Sequence, residues 1–401
     1  MLAKKSIDDI PPEDFSQKRV FVRVDFNVPI HNGKVTNNLR IREEIPTIKK
    51  LLELNAKVIL VSHWGRPKGK RSEEFSLRPV FEELKSFLPE TKIYFVETLE
   101  ELQKKSQEIQ PKEIILFENI RFYDQEEKND LEFAKELAKC ADIYVNDAFA
   151  SAHRAHTSTE GVARFVKPAV AGYLMKKELE YLTKILYQPE RPFYAILGGA
   201  KISDKILVIE NLLKIVDKLL IGGAMMFTFL RALGYSTGNS LVEEDRIQVA
   251  KEILEEHKDK VILPVDAVVT DFLDMKKLQI GSISEVEVQQ IPEGKIGVDI
   301  GSKTIEYYKR ELSQAKLVFW NGPMGTFEIE QTSKGTFELA RALAEITKHG
   351  VITIVGGGDS TSAIEKIGLG SEVSHVSTGG GASLEFIEGK VLPGIDVLDS
   401  K

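Results

Sequence analysis

Residues 351–367 read VITIVGGGDSTSAIEKI: an apolar run, three glycines with an aspartate, and then a segment with helical spacing. A strand, a glycine loop and a helix in this order form the repeating unit of parallel α/β sheets. Glycine turns let backbone N–H groups approach phosphates closely, and Asp359 is a suitable ligand for a phosphate-bound Mg²⁺. An ordinary N-cap at Asp359 or Ser360 explains the same residues equally well.

The same order of elements recurs along the chain. Apolar, β-branched runs predict strands at 19–25, 57–62, 92–96, 113–117, 142–146, 193–197, 218–221, 260–264, 316–320, 351–355 and 375–378. Segments with helical spacing lie between them, as at 40–54, 77–88 and 130–138. The sequence therefore predicts an α/β fold of doubly wound parallel sheets.

The length of 401 residues and the hydrophobic content of 42% favour two domains. A helical pattern from Gly172 to Leu186, stopped by Pro189 and Pro192, marks the boundary. We predict a first domain of residues 1–171 joined by the apolar tail 390–401, a hinge helix at 172–188, and a second domain of residues 189–389. The tail is too apolar for solvent and should pack on a domain.

The composition of the chain argues against several classes of protein. The net charge of −7 and the pI near 5.7 argue against a nucleic-acid partner. Cys140 is the only cysteine, which excludes a disulfide framework and a cysteine zinc site, and we expect it to be buried. We expect no membrane span, no secretory signal in the charged stretch Met1 to Ile10, and a cytoplasmic location.

Glycine and arginine are distributed unevenly. Only five of the 29 glycines precede residue 198, whereas the first half carries Arg23, Arg40, Arg66, Arg121 and Arg154. Arginine forks suit carboxylates and phosphates, and glycine turns suit phosphates. The two halves therefore predict two different anionic ligands, as in a group-transfer enzyme.

The unusual polar residues of the first half follow its predicted strands. Ligands of open parallel sheets gather beyond the carboxyl ends of the strands. The loops concerned are Asp25-Phe26-Asn27, Ser62-His63-Trp64-Gly65-Arg66, Glu118-Asn119-Ile120-Arg121 and Asn146-Asp147-Ala148-Phe149. His153, Arg154 and His156 crowd one segment, where repelling cations are best tolerated near an anion. Taken singly, Arg40, Arg121 and Arg154 are each better explained as a surface residue.

The second half offers several candidate anion and nucleoside contacts. Lys201 and Lys205 are spaced to share the first turn of a helix, where cations oppose the macrodipole unless an anion binds. The alternative is two solvated lysines. Gly379 to Gly381 predicts an N–H nest or a flexible linker. Gly222, Gly223 and Gly297 would admit a flat base, and Asn321 and Glu328 a ribose, although ordinary turns explain them too.

These loops, in this order, resemble those of the phosphoglycerate kinase family nearly from end to end. The motifs that carry the resemblance are 23–29, 62–67, 146–149, 151–156, 320–325, 356–359 and 374–383. Two departures are visible, because Trp64 stands where the family usually has Leu and Ala150 where Gly is common. Neither removes a catalytic group.

The resemblance implies two domains facing each other across a cleft, which close about the helix at 172–186 and the segment 379–389. The first domain would bind 3-phosphoglycerate, through Asp25, Phe26, Asn27, Arg40, His63, Trp64, Gly65, Arg66, Arg121 and Arg154. The second would bind Mg-ADP or Mg-ATP, through Lys201, Lys205, Gly223, Gly297, Asn321, Glu328, Gly357, Gly358, Asp359 and Ser360. Asp359 would lie nearest the Mg²⁺, and Arg40, Lys205 and Gly380 would be catalytic.

The reaction so implied is reversible phosphoryl transfer between ATP and the carboxylate of 3-phosphoglycerate, a step of glycolysis, in an enzyme that is commonly a monomer. A carboxylate is ionised at pH 7, so no general base is needed. One rival is an NAD-dependent dehydrogenase, although a proper G-x-G-x-x-G with a following acid is missing. The other rival is a non-catalytic nucleotide-binding protein, which would not need the arginines.

Overall fold

The structure, a computed structural model, describes residues 3–401 and divides into two compact units. Unit 1 runs up to Glu180 and includes Lys390–Lys401, and unit 2 is Tyr181–Gly389. The division falls inside the helix Tyr173–Tyr187, which is the helix predicted at 172–186.

Unit 1 is built on one sheet with flanking helices. Its strands are β1 (Arg19–Arg23), β2 (Ile30–His31), β3 (Lys34–Val35), β4 (Lys57–Val61), β5 (Ile93–Val96), β6 (Ile114–Phe117), β7 (Ile143–Asn146) and β8 (Ala169–Ala171). Its helices are α1 (Pro12–Phe15), α2 (Leu39–Glu53), α3 (Arg78–Phe87), α4 (Leu99–Glu108), α5 (Leu131–Ala138), the first part of α6 (Tyr173–Tyr187) and α14 (Pro393–Asp396).

The main sheet of unit 1 has six strands in the order β5-β6-β4-β1-β7-β8, all parallel. Val20 and Val22 pack with α2 and α3, while Phe21, which points to the opposite face, is equally buried. Arg23 at the end of β1 pairs with Val61 of β4 and Asn146 of β7. The polar loops that follow these three strands therefore leave the sheet side by side.

Unit 2 contains the remaining elements. Its strands are β9 (Phe193–Leu197), β10 (Lys218–Ile221), β11 (Ser236–Thr237), β12 (Val261–Ile262), β13 (Asp266–Thr270), β14 (Leu273–Asp274), β15 (Gln279–Ile280), β16 (Ile283–Glu287), β17 (Gln290–Ile291), β18 (Ile296–Ile300), β19 (Leu317–Asn321), β20 (Ile352–Gly356) and β21 (His375–Val376). Its helices are α7 (Ile206–Ile215), α8 (Met225–Ala232), α9 (Ile247–Glu256), α10 (Ser302–Leu312), α11 (Lys334–Lys348), α12 (Gly358–Lys366) and α13 (Gly381–Ile387).

A second parallel sheet of six strands, in the order β12-β10-β9-β19-β20-β21, forms the centre of unit 2. Its core includes the fully buried Trp320. The predicted α/β fold with two parallel sheets is thus confirmed. Beside this sheet lies an antiparallel one, β16-β13-β18, which the sequence analysis missed.

The two ends of the described chain cover the edge strand β8. The N–H of Ala171 donates to Lys5 O at 2.9 Å, and Asp399 N–H donates to Ala169 O at 2.8 Å. An unpaired strand edge is a template for aggregation, so this cover satisfies the edge and protects it. Ile395 and Leu398 are buried at the same place, and Cys140 is a buried free thiol. No helix within residues 3–401 is long and apolar enough to cross a membrane.

Replacing Ile395 by alanine should lower the free energy of unfolding by about 2–4 kcal/mol, because the side chain is 1% exposed and leaves a cavity. Urea unfolding of the full chain measures this. Val391→Ala is the matched control, since Val391 lies in the same tail but is 72% exposed, and it should change stability by less than about 0.5 kcal/mol. Equal effects of the two substitutions would show that the tail does not pack as described.

Candidate active site

A buried arginine organises the carboxyl end of the unit 1 sheet. Arg23 is fully buried, donating from Nε to Ser158 Oγ at 2.7 Å and lying with Nη2 3.1 Å from His63 Nδ1. Ser158 lies in a π-helical turn over Thr157–Gly161, and its hydroxyl donates a hydrogen bond to Glu126 Oε1 at 2.6 Å. This chain of hydrogen bonds fixes the His63 ring through Arg23, and it links the buried charge of Arg23 to the carboxyl group of Glu126.

Two histidines in this cluster are neutral. Burial lowers the pKa of His63 well below its usual range, and Arg23, Arg121 and Arg40 lower it further. Burial also lowers the pKa of His156 to about 3, helped by Arg121 and Arg23. The expectation that the 153–156 segment is a set of repelling cations is therefore wrong for His156, because desolvation removes its charge. Arg23, Arg121 and Arg154 supply positive charge here.

The Asp25–Asn27 loop is held from three sides. Arg40 Nη1 donates to Asp25 Oδ2 at 2.9 Å, and Asn27 N–H donates to Asp25 Oδ1 at 3.1 Å. Phe26 is fully buried, and its N–H donates to Ser62 Oγ at 2.9 Å. Gly65 N–H donates to Asn27 Oδ1 at 3.0 Å, which joins this loop to the next one. The predicted substrate residues Asp25, Asn27, Arg40 and Gly65 thus lie together.

Trp64 and Arg121 fix the neighbouring loop. Trp64 is half-buried against Phe75, and its indole N–H donates to Val28 O at 2.6 Å. Arg121 is 4% exposed and donates from Nη1 to Gly65 O at 2.8 Å. Its Nε is buried without a hydrogen-bond acceptor among the described residues and lies 3.8 Å from a Glu127 oxygen. Arg121 therefore contributes a buried positive charge whose hydrogen-bonding groups are only partly satisfied.

Two predicted substrate arginines are more exposed. Arg154 is half-buried and donates from Nε to His153 Nε2 at 3.3 Å. Arg66 is exposed at the end of its loop. They lie on the segments that follow β7 and β4, at the same end of the sheet as Arg23 and Arg121.

Unit 2 contains a pocket of about 300 Å³ at the carboxyl end of its sheet. Its walls are mainly apolar, and predicted residues Gly223, Gly297, Glu328 and Asp359 are part of its lining. The pocket lies beside β9 and β19, where the strand order reverses, which is the usual ligand position in such sheets. The rest of its lining is Gly199, Ala200, Ala224, Met226, Phe227, Leu241, Leu273, Met275, Ile296, Val298, Asp299, Pro323, Met324, Gly325 and Thr326.

Close backbone contacts at this pocket require glycine. Gly223 has φ of +67°, and a Cβ there would lie 2.4 Å from the backbone N and O of Gly199. Gly199 N–H donates to Pro323 O at 3.0 Å, and Gly223 N–H donates to Met324 O at 2.9 Å. The loops after β9, β10 and β19 therefore form one packed edge, which a side chain would separate.

Lys205 and Asn321 form a hydrogen bond next to these packed loops. The Lys205 ammonium donates to Asn321 Oδ1, and Asn321 Nδ2 donates to Gly356 O at 2.8 Å. Burial lowers the pKa of Lys205 to about 8, while Asp359 and Asp204 act in the opposite direction. Ser360 Oγ donates to Gly356 O at 3.0 Å and accepts from Gly322 N–H at 2.7 Å. Asn321 and Ser360 thus use their side chains to hold the loops.

The prediction that Lys201 and Lys205 share a helix face is wrong. Helix α7 begins at Ile206, and Lys205 is its N-cap. Lys201 is exposed in the preceding turns, where Glu243 accepts the N–H of Ile202 at 2.6 Å. Neither Lys201 nor Gly380 belongs to the pocket lining. Gly380 has φ of +52° and caps α13, with open space where a Cβ would be.

Gly357 and Gly358 lie at the start of α12, which begins at Gly358. Gly357 has φ of +92°, and a Cβ there would lie 2.4 Å from Asn321 Nδ2. The first N–H groups of α12 are therefore presented beside Lys205 and Asp359, which suits a phosphate.

Asp299 is a pocket residue that the sequence analysis missed. It is 2% exposed, and its two oxygens accept the N–H groups of Ile300 at 2.9 Å and Gly335 at 2.8 Å. Burial raises its pKa to about 7 despite these bonds. It joins β18 to the first turn of α11. The apolar walls from β14, β18 and α8 were also missed.

A family model described as phosphoglycerate kinase matches residues 7–390. The chain belongs to the phosphoglycerate kinase family. The phosphoglycerate kinase of Dictyoglomus turgidum is 52% identical over 404 residues, covering 100% of both chains, and that of Thermosipho africanus is 51% identical over 406 residues, covering 100% of this chain and 99% of the relative.

Solved structures of phosphoglycerate kinases also have the same fold as this chain. Phosphoglycerate kinase from Coxiella burnetii superposes with a TM-score of 0.88 at 40% identity, and that from Pyrococcus horikoshii OT3 with 0.82 at 33%, each covering 98% of both chains. The chain is therefore a phosphotransferase with phosphoglycerate kinase function. This excludes the dehydrogenase and the non-catalytic binding protein.

Gly223→Ala should weaken ADP binding about tenfold or more, because the added Cβ meets backbone atoms that have no room to move. Titration calorimetry measures the affinity. Gly234→Ala is the control: Gly234 has φ of +85° with nothing within 4 Å of a Cβ, so it carries only the left-handed backbone cost of about 1–2 kcal/mol. An unchanged affinity in the Gly223 variant would exclude this edge from the nucleotide site.

Binding of 3-phosphoglycerate should raise the pKa of His156 from about 3 by about one pH unit or more, since an anion stabilises the protonated ring. Histidine NMR titrations with and without the ligand test this. The ring resonances of His349, which is exposed on unit 2, should stay in place. A shift confined to His349 would contradict the assignment of the anion site.

Proposed function

We propose that unit 1 binds 3-phosphoglycerate and that unit 2 binds ADP or ATP with Mg²⁺. The division of the chain follows the predicted domains, with residues 1–171 and 390–401 around the first ligand and residues 189–389 around the second. Support comes from the different chemistry of the two carboxyl ends: arginines with neutral histidines in one, and an apolar pocket bordered by glycines in the other.

In the first site, arginines would neutralise the ligand's phosphate and carboxylate. Arg66 and Arg154 are accessible from solvent, and the buried Arg121 adds its positive charge beside them. The guanidinium of Arg23 can only donate, so His63 Nδ1 accepts and its Nε2 carries the hydrogen that a ligand oxygen can receive. Asp25 and Asn27 would bind the ligand's hydroxyl.

In the second site, the base would occupy the apolar pocket against Gly223 and Gly297. Glu328, exposed at the pocket, would hold the ribose. The phosphates would then extend toward the N-terminus of α12 at Gly357 and Gly358, with Lys205 beside them. Lys201 and Gly380 would contact phosphate from outside the pocket, and Asn321 and Ser360 would act by holding the loops.

Mg²⁺ fits this donor set. The ion usually takes one or two carboxylates and completes its shell with phosphate oxygens and water. Asp359 supplies one exposed carboxylate at the pocket, next to the first turn of α12. When bound, the ion would neutralise charge on the nucleotide phosphates.

Transfer needs charge neutralisation rather than proton removal. The acceptor carboxylate is already ionised, and Lys205 with the α12 N–H groups would stabilise the transferring phosphoryl oxygens. Arg40, held by Asp25, would do the same from the acceptor side. The reacting atoms must approach within about 3–3.5 Å, so we propose that the units close about the α6 helix and the segment 379–389 during the reaction.

The observation that carries this proposal is the buried Lys205 ammonium at the edge of the pocket, beside the start of α12 and Asp359. By resemblance to the family we also propose a cytoplasmic monomer.

Lys205→Ala should reduce kcat about 100-fold or more, because it removes a charge that stabilises the transferring group. A coupled assay of ADP formation with 3-phosphoglycerate measures this, and circular dichroism checks the fold. Lys214→Ala is the control, an exposed lysine of α7, and should remain within about twofold of the parent. Near-normal turnover of the Lys205 variant would refute its role.

A further inference from the structure

Two carboxyl groups meet in the interior of unit 1. Glu44 of α2 and Asp147, after β7, are both fully buried, and each lies within hydrogen-bond reach of the other. Glu44 Oε2 and Asp147 Oδ2 receive no hydrogen bond from another donor within residues 3–401. Two facing carboxylates would repel in a site without water. A single proton shared by the two carboxyl groups removes the repulsion, and the contact becomes a hydrogen bond between Glu44 and Asp147.

The other bonds of the pair decide where the proton resides. Asp147 Oδ1 accepts Met175 N–H at 2.9 Å, and the nearby Leu174 N–H and Thr47 hydroxyl act to lower the pKa of this carboxyl against the effect of burial. These N–H groups belong to the first turn of α6, where the helix dipole favours negative charge. Glu44 accepts one backbone hydrogen bond from residues 3–401, that of Asp25 N–H at 2.8 Å. Asp147 is thus the ion and Glu44 the neutral acid.

The position of the pair connects two functional segments. Arg40, Glu44 and Thr47 lie at i, i+4 and i+7 on one face of α2. Arg40 holds the Asp25 carboxylate, Glu44 holds the Asp25 N–H, and Thr47 Oγ1 accepts Tyr173 N–H at 2.9 Å at the start of α6. One helix face therefore binds the Asp25–Asn27 loop at one end and the first turn of α6 at the other.

Only glycine permits this approach of Asp147 to α6. A Cβ on Gly172 would lie 2.3 Å from Asp147 Oδ1. The Asp147 carboxylate thus occupies the space that a side chain at Gly172 would fill. From the loop after β7 it caps the N-terminus of α6.

We propose that Glu44 is a positioning residue for the substrate site: as a neutral acid it donates to Asp147 and accepts from Asp25 N–H, and so couples the substrate loop to the first turn of α6. This rests on the proposed binding of 3-phosphoglycerate by unit 1. Arg40 contacts the ligand in that proposal, whereas Glu44 acts only through Asp25.

The coupling has a definite pH dependence. Burial raises the pKa of Glu44 well above its usual range, and the charge of Asp147 raises it further. The charged groups facing Glu44 are Asp147 and Asp25, the latter paired with Arg40, while α6 contributes backbone N–H groups. The folded protein binds this proton more tightly than the unfolded chain, so the bond is present at low pH and is lost as pH rises through the pKa of folded Glu44.

The test compares Glu44→Gln, Glu44→Ala and Glu43→Gln in the full chain. Glutamine reproduces the neutral acid, because its amide donates to Asp147 and its oxygen accepts from Asp25. Alanine leaves both partners unsatisfied and should raise the KM for 3-phosphoglycerate about tenfold, with a smaller change in the KM for ATP. Glu43→Gln makes the same chemical change at the neighbouring, half-buried position of α2.

The proposal expects three results. Glutamine restores most of the loss seen with alanine, and it abolishes the rise of KM with pH that the parent and Glu43→Gln share. Infrared difference spectra in D₂O show that Glu44→Gln loses one protonated-carboxyl band that the parent and Glu43→Gln share. Addition of 3-phosphoglycerate alone slows hydrogen exchange at the Leu174 and Met175 amides in the parent and Glu44→Gln, but not in Glu44→Ala.

Two outcomes overturn the proposal. A Glu44→Gln variant as impaired as Glu44→Ala, or one with the pH profile and infrared band of the parent, would show that Glu44 is not the neutral member. Unchanged exchange at Leu174 and Met175 in the parent would show that the loop and α6 are not coupled. If the parent and Glu43→Gln both fail to bind 3-phosphoglycerate, the proposed function fails and the substrate role of Glu44 fails with it, while the infrared band still decides the protonation of the pair.

Discussion

Parallel strand pairing in register is the constraint on which both units depend. In unit 1, Arg23 ends β1 opposite Val61 and Asn146, and in unit 2, Asn321 ends β19 opposite Leu197 and Gly356. Strands that finish at one level deliver their loops to one edge of the sheet. Groups distant in the sequence therefore become neighbours and can form hydrogen bonds with one another.

The carboxyl ends of the two sheets differ in where their positive charge comes from. In unit 1, burial keeps His63 and His156 neutral, so fixed arginine charges need not repel additional cations. In unit 2, positive charge is concentrated in Lys205, and the remaining attraction comes from backbone N–H groups at the start of α12. The first edge is a set of side chains, and the second is mostly main chain, which explains why glycine is concentrated in one half and arginine in the other.

Much of this could be predicted from local sequence. An apolar run followed by Asp25-Phe26-Asn27, or by three glycines and Asp359, identifies both a strand and its functional loop. Glu44 could not be found in this way, since a helical glutamate is normally solvated and its burial depends on Asp147, on a distant loop. The helix start near Lys205 was misplaced: α7 begins at Ile206, and the turns before it contact Glu243, which is distant in the sequence and gives no local signal. The strand Ile283–Glu287 is mostly exposed and carries two glutamates, so it lacks the apolar pattern of a buried strand.

The chain ends that cover β8 also govern the order of assembly. Unit 2 is inserted in the sequence between two parts of unit 1, because Lys390–Lys401 returns to the first unit. During synthesis unit 2 can complete its contacts once Gly389 has emerged from the ribosome, whereas the edge at Ala169 must wait for Asp399. Unit 1 is thus completed after unit 2, and the strand edge at Ala169 stays open until Asp399 has been synthesised.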